Sequence, residues 1–320
     1  MRLPLLDDAV AAPMFQRLAW LCVGVVGLSL ASPAAADFPF HFSTGTPDGK
    51  IATASRPGPS SGANQETESA DDFILTVAGT SITHATFIGL LPTGVSVPSD
   101  ISEVVVEIYR VFPNDSNVGR TSGPPTFSTS QVPTRVNSPS DVELEDRDSS
   151  HGTLTFTATV LDSNFGALNS IDTGIHPKPN QTTHGDGPVS GQEVRFDVTF
   201  VKSFTLPPDH YFFVPQVLLS DPDDHFLWLS APKPIIPPGG TPFLPDLQSW
   251  IRNAELDPDW LRIGTDILGA GTFNATFSLD GTIAIGAPVL GRIEIVMLAA
   301  LLGGAVPVVL RVRRRRRPLT

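Results

Sequence analysis

The chain has 320 residues, 41% of them hydrophobic, and a formal net charge of −12 at pH 7. Two arginines and two aspartates fall in residues 1–36, and seven arginines and one glutamate fall in 291–320, which leaves 12 basic and 30 acidic side chains, a net charge of −18, for residues 37–290. A surface of that sign repels nucleic acid and anionic headgroups and excludes them as partners, whereas divalent cations or neutral glycans are compatible with it.

The N-terminal segment has the pattern of a secretory signal peptide, which we place at residues 1–36. Arg17 supplies a positive region, residues 18–30 are apolar, and the small residues that end with Ala34 and Ala36 form a cleavage site. The pattern therefore predicts export of everything that follows.

Residues within this segment refine the prediction. Asp7 and Asp8 are unusual in a positive region, which favours Met14 as the true start of translation. The single cysteine, Cys22, lies in the apolar stretch. The exported part therefore has no thiol, which excludes disulfide bonds and cysteine chemistry.

Residues 37–69 are predicted to form a flexible N-terminal arm, because the stretch 45–69 is rich in glycine, proline and serine. The first core strand is expected to begin at Ala70. A second loop is predicted at 113–152, between strands. Long loops in compact domains are often functional, although a tolerated surface insertion is the alternative.

The region 70–285 has the pattern of a domain built from strands. Segments in it either alternate polar and apolar residues or are rich in Phe, Val, Ile and Thr. They predict strands at 71–77, 82–90, 103–112, 154–160, 193–200, 210–219, 225–229, 259–264 and 272–279. Short helical turns are predicted only at 164–171 and 245–255. We therefore expect an all-β fold, an antiparallel β-sandwich of jelly-roll type, because parallel sheets would need crossover helices.

Two groups of side chains are candidates for binding. Asp221, Asp223 and Asp224 offer hard oxygen ligands that suit calcium, although a charged hairpin tip has the same sequence pattern. Three tryptophans could stack on a sugar, although large aromatic residues in a sandwich more often belong to the core; they are Trp228, Trp250 and Trp260. No nucleophile elbow, phosphate-binding loop or zinc helix occurs in the sequence, so we expect a protein that is not an enzyme and has no cofactor, with calcium as the alternative.

Residues 286–320 are predicted to be a sorting tail. The run 295–310 has no charged residue and would span about 24 Å as a helix, which crosses a bilayer core of about 30 Å if the flanking arginines snorkel. A packed core helix is the alternative. Six arginines follow the run, and arginines beside a span stay in the cytoplasm. They are Arg311, Arg313, Arg314, Arg315, Arg316 and Arg317.

Two motifs carry a resemblance to a known class. ADDFILTVAGTSITHATFIGL, residues 70–90, resembles the opening of β-sandwich domains in exported bacterial proteins. The tail, with Pro288 and Leu290 ahead of the span and arginines after it, is similar to sorting tails of the PEP-CTERM kind in their Ile-Pro-Thr-Leu variant. The resemblance implies processing by a sorting peptidase and association with extracellular polysaccharide, and it implies no activity for the sandwich.

Together these patterns predict a non-enzymatic cell-surface or extracellular-matrix protein. It would reach the envelope through the export machinery and be anchored by the helix 295–310 with its arginines in the cytoplasm. The alternative is a carbohydrate-binding or glycan-modifying module that uses the aspartates and tryptophans, with calcium where needed.

We expect the mature protein to begin at Asp37, because cleavage follows the small residues Ala34 and Ala36. N-terminal sequencing of surface-located protein checks this. Protein at the surface that still begins at Met1 or Met14 would contradict it.

Overall fold

The computed structural model describes residues 37–58, 66–117, 132, 134–173, 175, 182–236 and 244–284. The regular structure of the described part is mostly β-strand, which confirms the all-β prediction, and it includes one π-helical turn, Ile263–Leu268. The strands are β1 (Asp37–Ser43), β2 (Ile51–Ala54), β3 (Thr67–Leu75), β4 (Thr80–Leu91), β5 (Ile101–Arg110), β6 (Glu145–Asp148), β7 (Leu154–Ala167), β8 (Asn169–Ile171), β9 (Val189–Leu206), β10 (Asp209–Leu219), β11 (Leu227–Ala231), β12 (Trp250–Asn253), β13 (Leu261–Arg262), β14 (Asn274–Ala275) and β15 (Phe277–Ala284).

The strands form two sheets that share one core. A nine-stranded sheet contains the antiparallel run β1-β15-β4-β9-β7 and extends through β11 to β14, β2 and β8. A six-stranded antiparallel sheet has the order β13-β12-β3-β10-β5-β6. Phenylalanines of both sheets meet in the largest apolar cluster, including Phe73 and Phe213 from one sheet and Phe87, Phe196 and Phe277 from the other. The antiparallel prediction fails at one pair, because β2 runs parallel to β8.

Strand β4 organises the larger sheet. On one side it pairs with β9 along its whole length, and on the other with β15 up to Phe87 and then with β11 at Gly89 and Leu90. Gly89 lies where the partner strand changes and has no room for a side chain. A Cβ at this position would overlap the ring of Phe226 and lie 2.7 Å from the carbonyl oxygen of Leu227. Close packing therefore requires glycine at position 89.

The nine segments predicted as strands all overlap observed strands, although the segment 259–264 continues from β13 into the π-helical turn. The two predicted helical turns are wrong. Residues 245–255 contain β12, whose four residues are all buried and pair with β3, and residues 164–171 contain the end of β7 and β8. Pairing with neighbouring strands overrides the local helix preference of such short segments.

The structure differs from the expected flexible arm at 37–69. This segment contributes β1, β2 and the start of β3 to the two sheets. Phe40 and Phe42 of β1 pack against the main core, and the small side chains of Ala52 and Ala54 are fully buried beneath the neighbouring strands. Burial of these apolar groups outweighs the entropy cost of ordering the chain.

The predicted loop 113–152 is also partly built into the fold. It supplies β6, which pairs with β5. Its Arg135 is fully buried, forms an ion pair with Asp141, lies 3.6 Å from Asp259 and stacks 4.4 Å from the ring centroid of Phe112. The described part of this segment is therefore packed against the domain.

The predicted signal peptide, residues 1–36, and the sorting tail, residues 286–320, lie outside the described residues. In the described ranges no helix has both the length and the apolar character needed to cross a membrane.

We expect Gly89→Ala to lower the free energy of unfolding by about 1–3 kcal/mol, because the added methyl group must displace Phe226 from the core. Denaturant unfolding of both proteins measures the difference. Gly271→Ala is the matched control, since a Cβ there meets no atom within 4 Å, and it should change stability by less than about 0.5 kcal/mol. Equal effects of the two substitutions would contradict the packing explanation.

Candidate functional site

The face of the six-stranded sheet that points away from the main core is itself covered. Side chains alternate along a strand, so Glu68, Ala70 and Asp72 of β3 share this face. Ala70 packs there in a second apolar cluster with Tyr109, Phe212, Val214, Trp250 and Trp260. Polar side chains on this face therefore sit at the edge of a second core.

A cleft of about 340 Å³ opens at one end of this face. Its walls carry six carboxyl groups, one arginine and one phenol. The lining side chains that can form hydrogen bonds are Glu66, Glu68, Glu107, Tyr109, Asp141, Glu143, Arg252 and Asp257. A cleft of this composition favours a ligand with cationic groups or hydrogen-bond donors.

Arg252 of β12 holds the floor of the cleft. Its guanidinium forks onto both carboxylate oxygens of Glu68, with Nη2 donating to Oε1 at 3.0 Å and Nε donating to Oε2. Nη1 lies 2.9 Å from a carboxylate oxygen of Asp257, and the guanidinium stacks 4.4 Å from the ring centroid of Trp260. Bidentate pairing and ring stacking fix the guanidinium, so Glu68 is its buried ionic partner.

The Tyr109 hydroxyl connects two carboxyl groups. It accepts a hydrogen bond from Arg252 Nη2 at 2.8 Å and lies 2.9 Å from Glu68 Oε1 and 3.0 Å from Glu107 Oε2. A phenol has one hydrogen and can donate to only one of the two. The two carboxyl groups therefore compete for the single phenol hydrogen.

Burial, the nearby charge of Glu68 and a hydrogen bond with Glu68 raise the pKa of Glu107 well above its ordinary value of 4.5. Burial and the same charge raise the pKa of Glu66 at the rim. The floor thus presents one carboxylate paired with an arginine and one carboxyl group whose pKa is raised, a division of roles that can also serve acid and base chemistry.

The Ala70-Asp71-Asp72-Phe73 motif is structural. The Asp71 carboxylate is fully buried, accepting a hydrogen bond from Ser249 Oγ at 2.9 Å and one from the backbone N–H of Ala275 at 2.8 Å. Asp72, on the opposite face, accepts from His210 Nε2 at 2.6 Å. Burial and the neighbouring Asp72 raise the pKa of Asp71 well above its ordinary value. Asp71 thereby connects β3 of one sheet to β14 of the other.

The candidate calcium ligands Asp221, Asp223 and Asp224 do not converge at the turn after β10. Asp221 Oδ1 accepts a hydrogen bond from the backbone N–H of Asp223 at 3.0 Å, which closes the turn internally. The neighbouring His225 points to another partner: its Nδ1 lies 2.6 Å from Asp172, which also pairs with Arg56. Within the described ranges, no three metal-ligating side chains converge on one point.

The three tryptophans are core residues. None is more than 1% exposed, so none offers a ring face for stacking on a sugar. Trp228 Nε1 donates to the carbonyl oxygen of Thr276 at 2.7 Å, and Trp260 Nε1 donates to that of Ser140 at 3.2 Å. The sugar-stacking platform is therefore not present in this structure.

Sequence reasoning missed the residues that do converge. The spacing of Glu107 and Tyr109 in β5 places them on one face of a strand, and that signal was available. Their partners Glu68 and Arg252 belong to β3 and β12, which are separated along the chain by more than 180 residues. Only the pairing of these strands in one sheet brings the four together.

Comparisons with known proteins give no further identification. No family model, curated protein or solved structure matches this chain. The fold and site define an all-β protein of two sheets with a carboxyl-rich cleft.

We expect the same substitution to have opposite effects at Glu68 and Glu107. In the folded protein Glu107 keeps its proton above pH 4.5, whereas in the unfolded chain it ionises there, so stability falls as pH rises past 4.5. Glu107→Gln cannot ionise and should stabilise the protein more at pH 7 than at pH 4. Glu68→Gln leaves Arg252 without its buried counter-ion and should cost about 3–5 kcal/mol.

Denaturant unfolding of both variants at the two pH values is the measurement. A Glu107→Gln protein whose gain in stability is equal at pH 4 and pH 7 would show that folding does not raise the pKa of Glu107.

Proposed function

We propose that this chain is a non-enzymatic exported protein of the cell surface or extracellular matrix, with a jelly-roll-like sandwich as its displayed part. The signal peptide 1–36 directs export, and the tail 286–320 anchors the protein through the helix 295–310. The arginines after that helix remain in the cytoplasm. The export machinery and a sorting peptidase process the protein, and the displayed domain associates with extracellular polysaccharide.

The observation that supports this proposal is the position of the folded unit in the chain. The compact unit covers Asp37–Ala284 and thus begins at the residue after the predicted cleavage site. Strands β1 and β15 pair along their lengths, from Asp37 opposite Ala284 to Ser43 opposite Ser278. The two ends of the compact unit, Asp37 and Ala284, therefore lie opposite each other in one strand pair, and removal of the proposed sorting segments leaves every described strand intact.

The alternative function is binding of a glycan, for which we propose the carboxyl-rich cleft as the candidate site. Sugar hydroxyls donate and accept hydrogen bonds, and the floor offers the carboxyl group of Glu107, whose pKa is raised, beside the other acids that line the cleft. Glycan-array binding with and without calcium separates the two functions. Binding that Glu107→Gln weakens favours the glycan module, and absence of binding favours the structural component.

We expect deletion of residues 287–320 to release a soluble, folded domain into the periplasm or medium. The tail arginines would each cost several kcal/mol to carry through the bilayer, so in the full chain they stop transfer and keep the protein at the membrane. Fractionation followed by circular dichroism checks both location and folding. Recovery of the truncated chain only as insoluble material would mean that the run 295–310 is needed for folding and would refute the anchor.

A further inference from the structure

Three reactive side chains meet beside the short β11–β14 pair. Asn274 belongs to β14 and lies opposite Ala231 of β11, and Lys233 follows two residues after Ala231. Asp246 reaches the same point from the segment that leads to β12. Asn274 is fully buried, and the side chains of Lys233 and Asp246 are 16% and 3% exposed. An amine, a carboxamide and a carboxyl group are thus enclosed together.

The distances place these groups in a reactive order. Lys233 Nζ lies 2.8 Å from Asp246 Oδ1 and 3.5 Å from Asn274 Oδ1. Asp246 Oδ2 in turn accepts a hydrogen bond from Asn274 Nδ2 at 3.4 Å. One carboxylate therefore touches both the amine that would attack and the amide nitrogen that would leave.

Surrounding contacts hold each group in place. Asn274 Nδ2 also donates to the carbonyl oxygen of Pro232 at 3.3 Å, and the backbone N–H of Ile235 donates to Asp246 Oδ2 at 2.8 Å. Lys233 Nζ donates to the carbonyl oxygen of Leu247.

The buried Asp71 helps to hold the chain segments that carry Asn274 and Asp246. Its two oxygens bind Ala275, the neighbour of Asn274, and Ser249, three residues after Asp246. Because these groups are already held in place, a reaction between them loses less entropy than a reaction between free groups, and its barrier is lower.

We propose that Lys233 and Asn274 join through an intramolecular amide bond, with Asp246 as the proton carrier. The ammonium group of Lys233 gives one proton to the Asp246 carboxylate, and the neutral Nζ attacks Cγ of Asn274. The new N–C bond forms, and the bond from Cγ to Nδ2 breaks. Asp246 takes a second proton from Nζ and delivers one to Nδ2, so ammonia leaves and Asp246 ends as the acid. No oxidant or further reactant is needed.

An ordinary ion pair between Lys233 and Asp246 does not require this arrangement. A stabilising ion pair needs only the two charges, whereas here a third, fully buried carboxamide contacts both partners. The bond would enclose residues 233–274, which contain β12, β13 and the π-helical turn, and would tie them covalently to the nine-stranded sheet. Its benefit is greatest in a folded unit that contains no cysteine, because disulfides cannot brace it. This inference does not depend on the proposed function.

Mass spectrometry of the purified full chain tests the bond. The intact mass should be lower than the mass of the same chain without the bond by one molecule of ammonia. Succinimide formation at an asparagine gives the same loss, so a protease digest must also contain one branched peptide that includes both Lys233 and Asn274. Separate, linear Lys233 and Asn274 peptides from fully folded protein would overturn the proposal.

Matched variants assign the roles. Asp246→Asn keeps the size of the side chain but cannot carry a proton, so it should abolish the branched peptide and restore the lost mass. Lys233→Met should do the same, and both should melt at a lower temperature than the unaltered chain. Lys202→Met removes an exposed lysine and should leave the branched peptide in full yield. A branched peptide that survives Asp246→Asn would overturn the role of Asp246.

Discussion

The fully buried carboxyl group of Asp71 is the constraint on which much of this fold depends. Burial of a carboxyl group between two sheets is unfavourable unless hydrogen bonds compensate, and here Ser249 and the backbone of Ala275 supply them. Ser249 precedes β12 and Ala275 belongs to β14, so one side chain fixes the approach of both strands. The placement of Arg252 in the cleft and of Asn274 beside Lys233 both follow from it.

Alternation along β3 extends that constraint to the other face. With Asp71 pointing into the space between the sheets, Glu68 and Asp72 must point outward, where Trp250 and Trp260 cover the sheet. The face that a two-sheet fold commonly exposes to water is here a second core with charged residues at its margin. This is why the cleft combines an ion pair, a phenol and a carboxyl group with a raised pKa.

The net charge counted from the sequence overstates the negative charge on the surface of the folded protein. Part of the excess of carboxyl groups is buried, and the raised pKa values of Asp71 and Glu107 mean that folding holds protons the unfolded chain releases. Such groups reduce stability as pH rises above their ordinary values. The surface is therefore less negative than the residue count implies, and the aspartates at the exposed turn after β10 contribute charge without forming a ligand cage.

The sequence by itself determined the all-β class and the position of most strands, because alternation of side chains is a local property of each segment, as in β7 and β9. It also named the Asp71–Asp72 pair without showing why it exists. Tertiary structure alone decided that β12 is a strand and that Trp228, Trp250 and Trp260 are core residues. It also decided that Glu68 meets Arg252 and that Lys233 meets Asn274. These outcomes depend on contacts between residues tens to hundreds of positions apart, and such contacts exist only after strand pairing has chosen which faces turn toward each other.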